Sequence, residues 1–191
     1  MDSRAPSPVK RPFGSEEVLP TKVNALVTDL LKQKSGTKSI VFTFWSSALD
    51  LIKKGLSRAS ITFTRYDGNT TPTNRSLALE NFREDPNISV ILMTISCAAV
   101  GLNITAATRA YIMEPQWNPT VEEQALARVH RMGQTKEVTT VRFVMADTFE
   151  ERVIETQQRK RELAELLLSS EPHAESERSL DRLRYFRSLL K

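Results

Sequence analysis

Gln124, Arg128 and Arg131 lie in the stretch Gln124-Ala125-Leu126-Ala127-Arg128-Val129-His130-Arg131-Met132-Gly133-Gln134, at intervals of four and three. On a helix such intervals put three side chains on one face. Two guanidiniums side by side suit a polyphosphate. Each stays charged and donates in a planar fork, and a pair can stabilise charge developing during phosphoryl transfer. A plainer reading is also open: Glu122 and Glu123 near a helix start, with arginines near its end, are what the helix dipole favours anyway. The helix is predicted over Asn118 to Arg131. Asn118 can cap it with Pro119 in the first turn, or Thr120 can cap it with Glu123 as a capping box. Gly133 suits the stop. Val121, Ala125, Val129 and Met132 form a neighbouring apolar stripe, expected to pack on a sheet.

Composition excludes other chemistries. The chain has 191 residues, 40% hydrophobic and 26% charged, which corresponds to one domain with appendages. The six glycines come no closer than Gly55 and Gly68, so neither a G-x-x-x-x-G-K phosphate loop nor a G-x-G-x-x-G dinucleotide loop exists. A G-x-S-x-G nucleophile elbow is excluded in the same way. One cysteine, Cys97, rules out an internal disulfide framework, and with only His130 and His173 no clustered His/Cys metal site is expected. The net charge of +4 is mildly basic and spread out: residues 1–118 hold 14 basic and 10 acidic side chains, and 119–191 hold 13 of each. Any nucleic-acid surface must therefore be a local patch. No apolar run is long enough to span a membrane and the first residues carry no apolar signal core, so an intracellular protein is expected.

Several elements must position the arginines. Residues 1–20 carry Pro6, Pro8, Pro12 and Pro20 and read as a disordered leader. Val23, Leu26, Val27, Leu30 and Leu31 recur at helical spacing and predict a helix ending before Gly36. Strands are predicted at Ser39–Phe44, Ile61–Tyr66, Ile88–Met93, Arg109–Met113 and Thr139–Met145. Helices are predicted around Ala48–Leu56, at Thr73–Glu84, over the arginine stretch, at Phe149–Leu168 and at Leu180–Leu190. Alternating strands and helices, with central strands apolar on both faces, indicate a mostly parallel sheet covered on two sides. Ligands in such folds collect at the carboxyl ends of the strands: here Asp67-Gly68, Thr94 to Asn103, and Glu114 to Pro119.

The arginine stretch resembles the sixth motif of superfamily-two helicases in its Swi/Snf form, Q-x-x-x-R-x-H-R-x-G-Q. Ser39 to Ser46, with Phe44-Trp45-Ser46, resembles the fourth motif. Arg65-Tyr66-Asp67-Gly68 resembles the R-x-D-G element, Thr94 to Thr105 the fifth motif, and Glu114-Pro115-Gln116-Trp117-Asn118-Pro119 the D-P-x-W-N-P loop. The similarity runs from about Thr21 to Leu168 and is nearest to the helicase-like transcription factor subgroup, with a fungal source expected. It implies a RecA-like lobe over 21–168, with 169–191 as a linker and a short final helix.

The family motor has two RecA-like lobes that bind ATP and duplex DNA between them, and the resemblance covers the second. The phosphate loop and the Asp-Glu pair for magnesium belong to lobe one. Neither is found here, so the chain is expected to need a lobe one, in cis or trans, before ATP with Mg2+ can be hydrolysed. The resemblance implies that Arg128 and Arg131 are arginine fingers, that Gln124 couples nucleotide to DNA, and that Gly101 and Asn103 line the nucleotide cleft. It implies DNA contacts at Ser46, Asp67, Gly68, Thr94, Trp117 and Asn118. The partners implied are double-stranded DNA, with nucleosomes or repair factors beyond it, and a nuclear location. Trp117 has the plainer reading of a half-buried packing residue. His130 reads as a structural hydrogen-bonding residue, Cys97 as buried filler, and Arg159-Lys160-Arg161 as a solvated helix face.

Two departures stand out. Ala98 and Ala99 replace glycines usual in the fifth motif, and their methyls are expected to narrow a DNA or nucleotide contact. Glu114 replaces the usual Asp. The alanines and the missing lobe leave a second reading open, a DNA-binding or regulatory module without catalysis.

Overall fold

A computed structural model describes residues 18–98 and 101–168. The elements are α1 (Thr21–Leu31), β1 (Ser39–Thr43), α2 (Ser46–Arg58), β2 (Phe63–Tyr66), α3 (Pro72–Glu84), β3 (Val90–Thr94), α4 (Ile95–Ala98), β4 (Arg109–Ile112), α5 (Pro119–Leu126), β5 (Thr139–Arg142) and α6 (Phe149–Leu168). The leader up to residue 17, Ala99 and the helix expected at Leu180–Leu190 lie outside the described residues.

All described strand pairs are parallel, in the order β2-β3-β1-β4-β5. Every residue of β1 and β3 is buried, as strands covered on both faces must be. The period-two alternation divides the core in two. Ile40, Phe42, Ile91, Met93 and Ala110 point to one side, where Phe82 of α3, Ile95 and Ala98 of α4 and Ala125 of α5 meet them. Val41, Val90, Leu92 and Tyr111 point to the other, against Val23 and Leu26 of α1 and Leu49, Ile52 and Leu56 of α2. Gly55 lets α1 and α2 approach closely: a Cβ there would lie 2.7 Å from Val23 Cγ1.

This layering puts the connection leaving β1 on one face and those leaving β3 and β4 on the other. The strand order reverses between neighbouring β1 and β4, whose connections run to opposite edges of the sheet, so a crevice opens beside the carboxyl end of β1. Two interactions seal the ends of β1, β4 and β5. Glu114 accepts from Thr43 Oγ1 at 2.8 Å and from the Phe44 N–H at 3.1 Å. Lys22 donates to the carbonyls of Met113 (2.7 Å) and Phe143 (3.2 Å) and pairs with Glu150 at 2.6 Å, docking the start of α6.

The structure corrects two expectations. The predicted helix to Arg131 ends at Leu126, with Asn118 as its cap (Thr120 N–H to Asn118 Oδ1, 3.2 Å). Beyond it three-residue bonds, Arg128 N–H to Ala125 O at 3.1 Å and Val129 N–H to Leu126 O at 2.9 Å, mix with a four-residue bond from His130 N–H to Leu126 O at 2.9 Å. The apolar stripe accordingly fails at Met132, which is 94% exposed. The stretch after β3 forms the one-turn α4. Gly133, with φ +98°, sits in the turn closed by Gln134 N–H to Arg131 O at 2.9 Å, where glycine carries the left-handed conformation.

Candidate functional site

The two arginines come together through backbone carbonyls rather than through a shared helix face. The segment after α4 gathers them instead. Arg128 Nε donates to Ala98 O at 3.0 Å, and Arg131 Nη1 donates to the carbonyls of Gly101 and Leu102, both at 3.2 Å. Ile104 N–H returns a bond to Arg128 O at 3.1 Å. Gln134 Nε2 holds Thr105 O at 2.9 Å and Ala107 O at 3.0 Å. The fifth- and sixth-motif segments thus form one hydrogen-bonded unit. Arg128 is half-buried, while Gln124, His130 and Arg131 are exposed. Gly101 and Asn103 are exposed beside them, and Asn103 Oδ1 accepts from the Thr105 N–H at 3.3 Å. A Cβ on Gly101 would meet nothing within 4 Å, so the fold leaves that side open.

The expectation for Ala98 is overturned. Its side chain is fully buried, packed in the core beneath the loop, so its methyl does not stand in a surface contact. Only its carbonyl takes part in the site, through Arg128.

A second group of candidates rims the crevice at the ends of β1 and β4. Ser46 is exposed at the first position of α2, which begins without a side-chain cap. Phe44 and Trp45 are 49% and 60% exposed and meet edge to face at 4.8 Å. Trp117 is 54% exposed, with its ring edge on Phe149 at 5.2 Å, so it is neither free nor a packing residue of the core. Trp45, Trp117, Phe149 and Val153 line a groove of 410 Å³. Asn118 is exposed and occupied as the cap of α5.

Two expected DNA contacts lie within the fold. Asp67 is 1% exposed, and both its oxygens are engaged: Oδ2 by Arg65 Nε (2.8 Å) and Nη2 (2.5 Å), Oδ1 by the Asn69 N–H (3.1 Å) and Thr70 Oγ1 (2.8 Å). Burial alone would raise its pKa, but the bonds from Thr70 and Arg65 outweigh it and hold the carboxyl below its ordinary value. Asp67 therefore shapes the turn that presents exposed Gly68, whose carbonyl takes a 2.9 Å bond from Arg75. Thr94 is 6% exposed, at the end of β3, and its hydroxyl accepts from Ser96 at 3.5 Å. Glu114, by contrast, is raised above its ordinary value, chiefly by burial and against the bonds from Thr43 and Phe44.

Sequence reasoning missed Glu122. Its spacing marks it as a dipole residue, yet it is fully buried. Its Oε1 accepts from the Gln116 N–H at 2.7 Å and from Gln157 Nε2 at 2.6 Å, and its Oε2 pairs with Arg142 at 2.5 Å. A signal for it exists: Pro119, Glu122 and Ala125, three apart, are the buried positions of α5.

The profile described as "Helicase conserved C-terminal domain" matches residues 21–133, more than half of the chain. The DNA repair protein RAD5A of Arabidopsis thaliana is 45% identical over 144 residues, covering 75% of this chain and 14% of that protein. The DNA repair protein rad8 of Schizosaccharomyces pombe is 37% identical over 142 residues, 73% of this chain and 12% of that protein. The chain therefore spans a small part of the curated relatives it matches. Among solved structures, the C-terminal part of the Fun30 ATPase domain superposes with a TM-score of 0.68 at 31% identity, covering 71% of this chain and 44% of that one. The parallel sheet, the ordered motifs and these matches agree: the chain belongs to the helicase conserved C-terminal domain family, in the form carried by Swi/Snf-type helicases, with a RecA-like fold.

Proposed function

We propose that this lobe is the second half of an ATP-dependent motor that moves along double-stranded DNA, and that Arg128 and Arg131 reach a nucleotide held by a first lobe. The observation that carries this reading is the pairing of the two guanidiniums with the carbonyls of Ala98, Gly101 and Leu102, beside the open Gly101. Arg131 holds the carbonyls of Gly101 and Leu102 through Nη1, and the other edge of its fork would meet a phosphate oxygen. The donor set fits the phosphates of ATP, with Gly101 and Asn103 along the approach and Gln124 one turn earlier on α5. ATP would supply the phosphoryl group and its free energy; the residues here would orient its phosphates and stabilise negative charge. Among the described residues no group of three or more His, Cys, Asp or Glu is placed to hold a metal ion; that the magnesium would be held by the other lobe rests on the resemblance to the family motor.

The second surface supports a DNA contact. Ser46 at the start of α2 offers a hydroxyl and backbone donors to a phosphate, as does the Gly68 turn. Trp117, exposed but braced, would lean on the sugar-phosphate backbone or a base edge. The relatives are named as DNA repair proteins, which favours the helicase-like transcription factor subgroup, DNA repair or remodelling work, and a nuclear site of action; a fungal source rests on the motif resemblance alone. Nucleosomes or repair factors are further partners in this reading. Among the described residues no helix is long and apolar enough to cross a membrane. With its methyl buried, Ala98 no longer supports the reading as a non-catalytic module.

The test is reconstitution. The chain is fused to lobe one of a relative, and DNA-stimulated ATP hydrolysis is measured for the parent and for Arg131→Ala. Loss of a finger is expected to cost about 10³-fold or more in turnover. Full turnover in the variant, with DNA stimulation intact, would refute the assignment.

A further inference from the structure

The loop that carries Trp117 is held from beneath by side chains, and most of them come from one face of α6. Gln116 N–H donates to Glu122 Oε1 at 2.7 Å, and Gln116 O accepts from Gln157 Nε2. Trp117 O accepts from Lys160 Nζ at 3.0 Å, and the Trp117 ring rests on Phe149. Phe149, Val153, Gln157 and Lys160 recur at helical intervals of four, four and three, so they share one face of α6. Glu122 joins this face to β5 through Arg142 and to the loop through Gln116. A fully buried carboxylate is costly unless it is paired and hydrogen-bonded. Here it has a cation and two donors, whereas Gln157 Oε1 and Arg142 Nε stay buried without a partner. An apolar residue at 122 would avoid that cost but could not hold the Gln116 N–H.

We propose that Glu122 is a positioning residue for Trp117: it clamps the Pro115–Asn118 loop to α6, so that helix docking sets where the indole stands. The role of the clamp in DNA engagement rests on the reading above, in which Trp117 touches DNA; the clamp itself does not. Lys160, which reads from sequence as a solvated residue, is part of the same device. Undocking α6 would release the carbonyls of 116 and 117 together with the aromatic brace, and the indole would lose its fixed direction.

The chain has two tryptophans, so Trp45→Phe leaves Trp117 as the only indole reporter. In that background Glu122→Met, Glu122→Gln and Lys160→Met are compared. Each is checked for folding by circular dichroism, then read by Trp117 emission, iodide quenching and duplex-DNA affinity. Glu122→Met is expected to red-shift the emission and to raise quenching toward that of the urea-unfolded chain. Glu122→Gln keeps an acceptor for the Gln116 N–H and is expected to restore both signals. Lys160→Met, at an exposed position that leaves the core intact, is expected to shift both in part. DNA affinity should fall about fivefold to tenfold with Glu122→Met, the scale of losing one contributing contact residue of an interface. A folded Glu122→Met or Lys160→Met chain with the parent's emission and quenching overturns the clamp. Shifted emission with unchanged affinity upholds the clamp and refutes the DNA contact of Trp117.

Discussion

Gly55 tests how the α1–α2 layer supports the β1 end of the site, because α2 starts at Ser46 beside the crevice. In an open helix, replacing glycine by alanine stabilises by about 1 kcal/mol through backbone entropy. At Gly55 the new Cβ would lie 2.7 Å from Val23 Cγ1 and 3.3 Å from Val27 Cγ2. Carbon atoms prefer roughly 3.5–4.0 Å, so the first contact is short by about an ångström. Val23 is 4% exposed and β-branched, with little rotamer freedom to move aside. Overpacking of this kind costs about 1–3 kcal/mol. The balance for Gly55→Ala is therefore a loss of about 0–2 kcal/mol where propensity alone expects a gain. For a chain of this size that is a fall of up to about 4–8 °C in Tm. The decisive assay is a urea-unfolding cycle with Val23→Ala. The smaller side chain removes the short contact, so Gly55→Ala should be neutral or stabilising in that background, with a coupling of about 1–3 kcal/mol. A stabilising single variant that adds to Val23→Ala without coupling would refute the close-packing argument.

Other outcomes follow from the site. Gly101→Ala should leave stability unchanged or raised by about 0.4–1 kcal/mol, since its Cβ meets nothing within 4 Å. The same variant should lower ATP turnover in the two-lobe fusion; undiminished turnover would remove Gly101 from the nucleotide approach. Glu114 titrates above its ordinary 4.5, so its stabilising contribution is complete below that value and is lost as pH rises through the raised folded value. Glu114→Gln mimics the protonated form, and in urea melts should gain on the parent at about pH 7.5 but not at about pH 4. A gain confined to low pH would reverse the sign and sink the reasoning. Trp117→Ala should weaken duplex binding about tenfold while keeping the steep salt dependence of the phosphate contacts, read by fluorescence anisotropy of labelled DNA. A flattened salt slope at unchanged affinity would contradict the division of labour.

Helical and strand periodicity carried the element order. α6 occupies the predicted Phe149–Leu168, and α1 and β1 begin within a few residues of where spacing put them, because period two and period 3.6 are local properties of the chain. The ordered motifs were legible for the same reason: each is a short run of residue types. Three things were decided only by packing. Periodicity across Gln124–Met132 looks continuous, yet α5 ends at Leu126, and long-range bonds to the carbonyls of Ala98, Gly101 and Leu102 then gather the arginines. Ala98 has the sequence context of a surface obstruction, but α4 rotates its methyl into the core. Glu122 has the spacing of a dipole residue, but bonds to Gln116, Gln157 and Arg142 bury it completely. Local spacing states which residues share a face; which face is covered, and by what, depends on contacts between residues far apart in the chain.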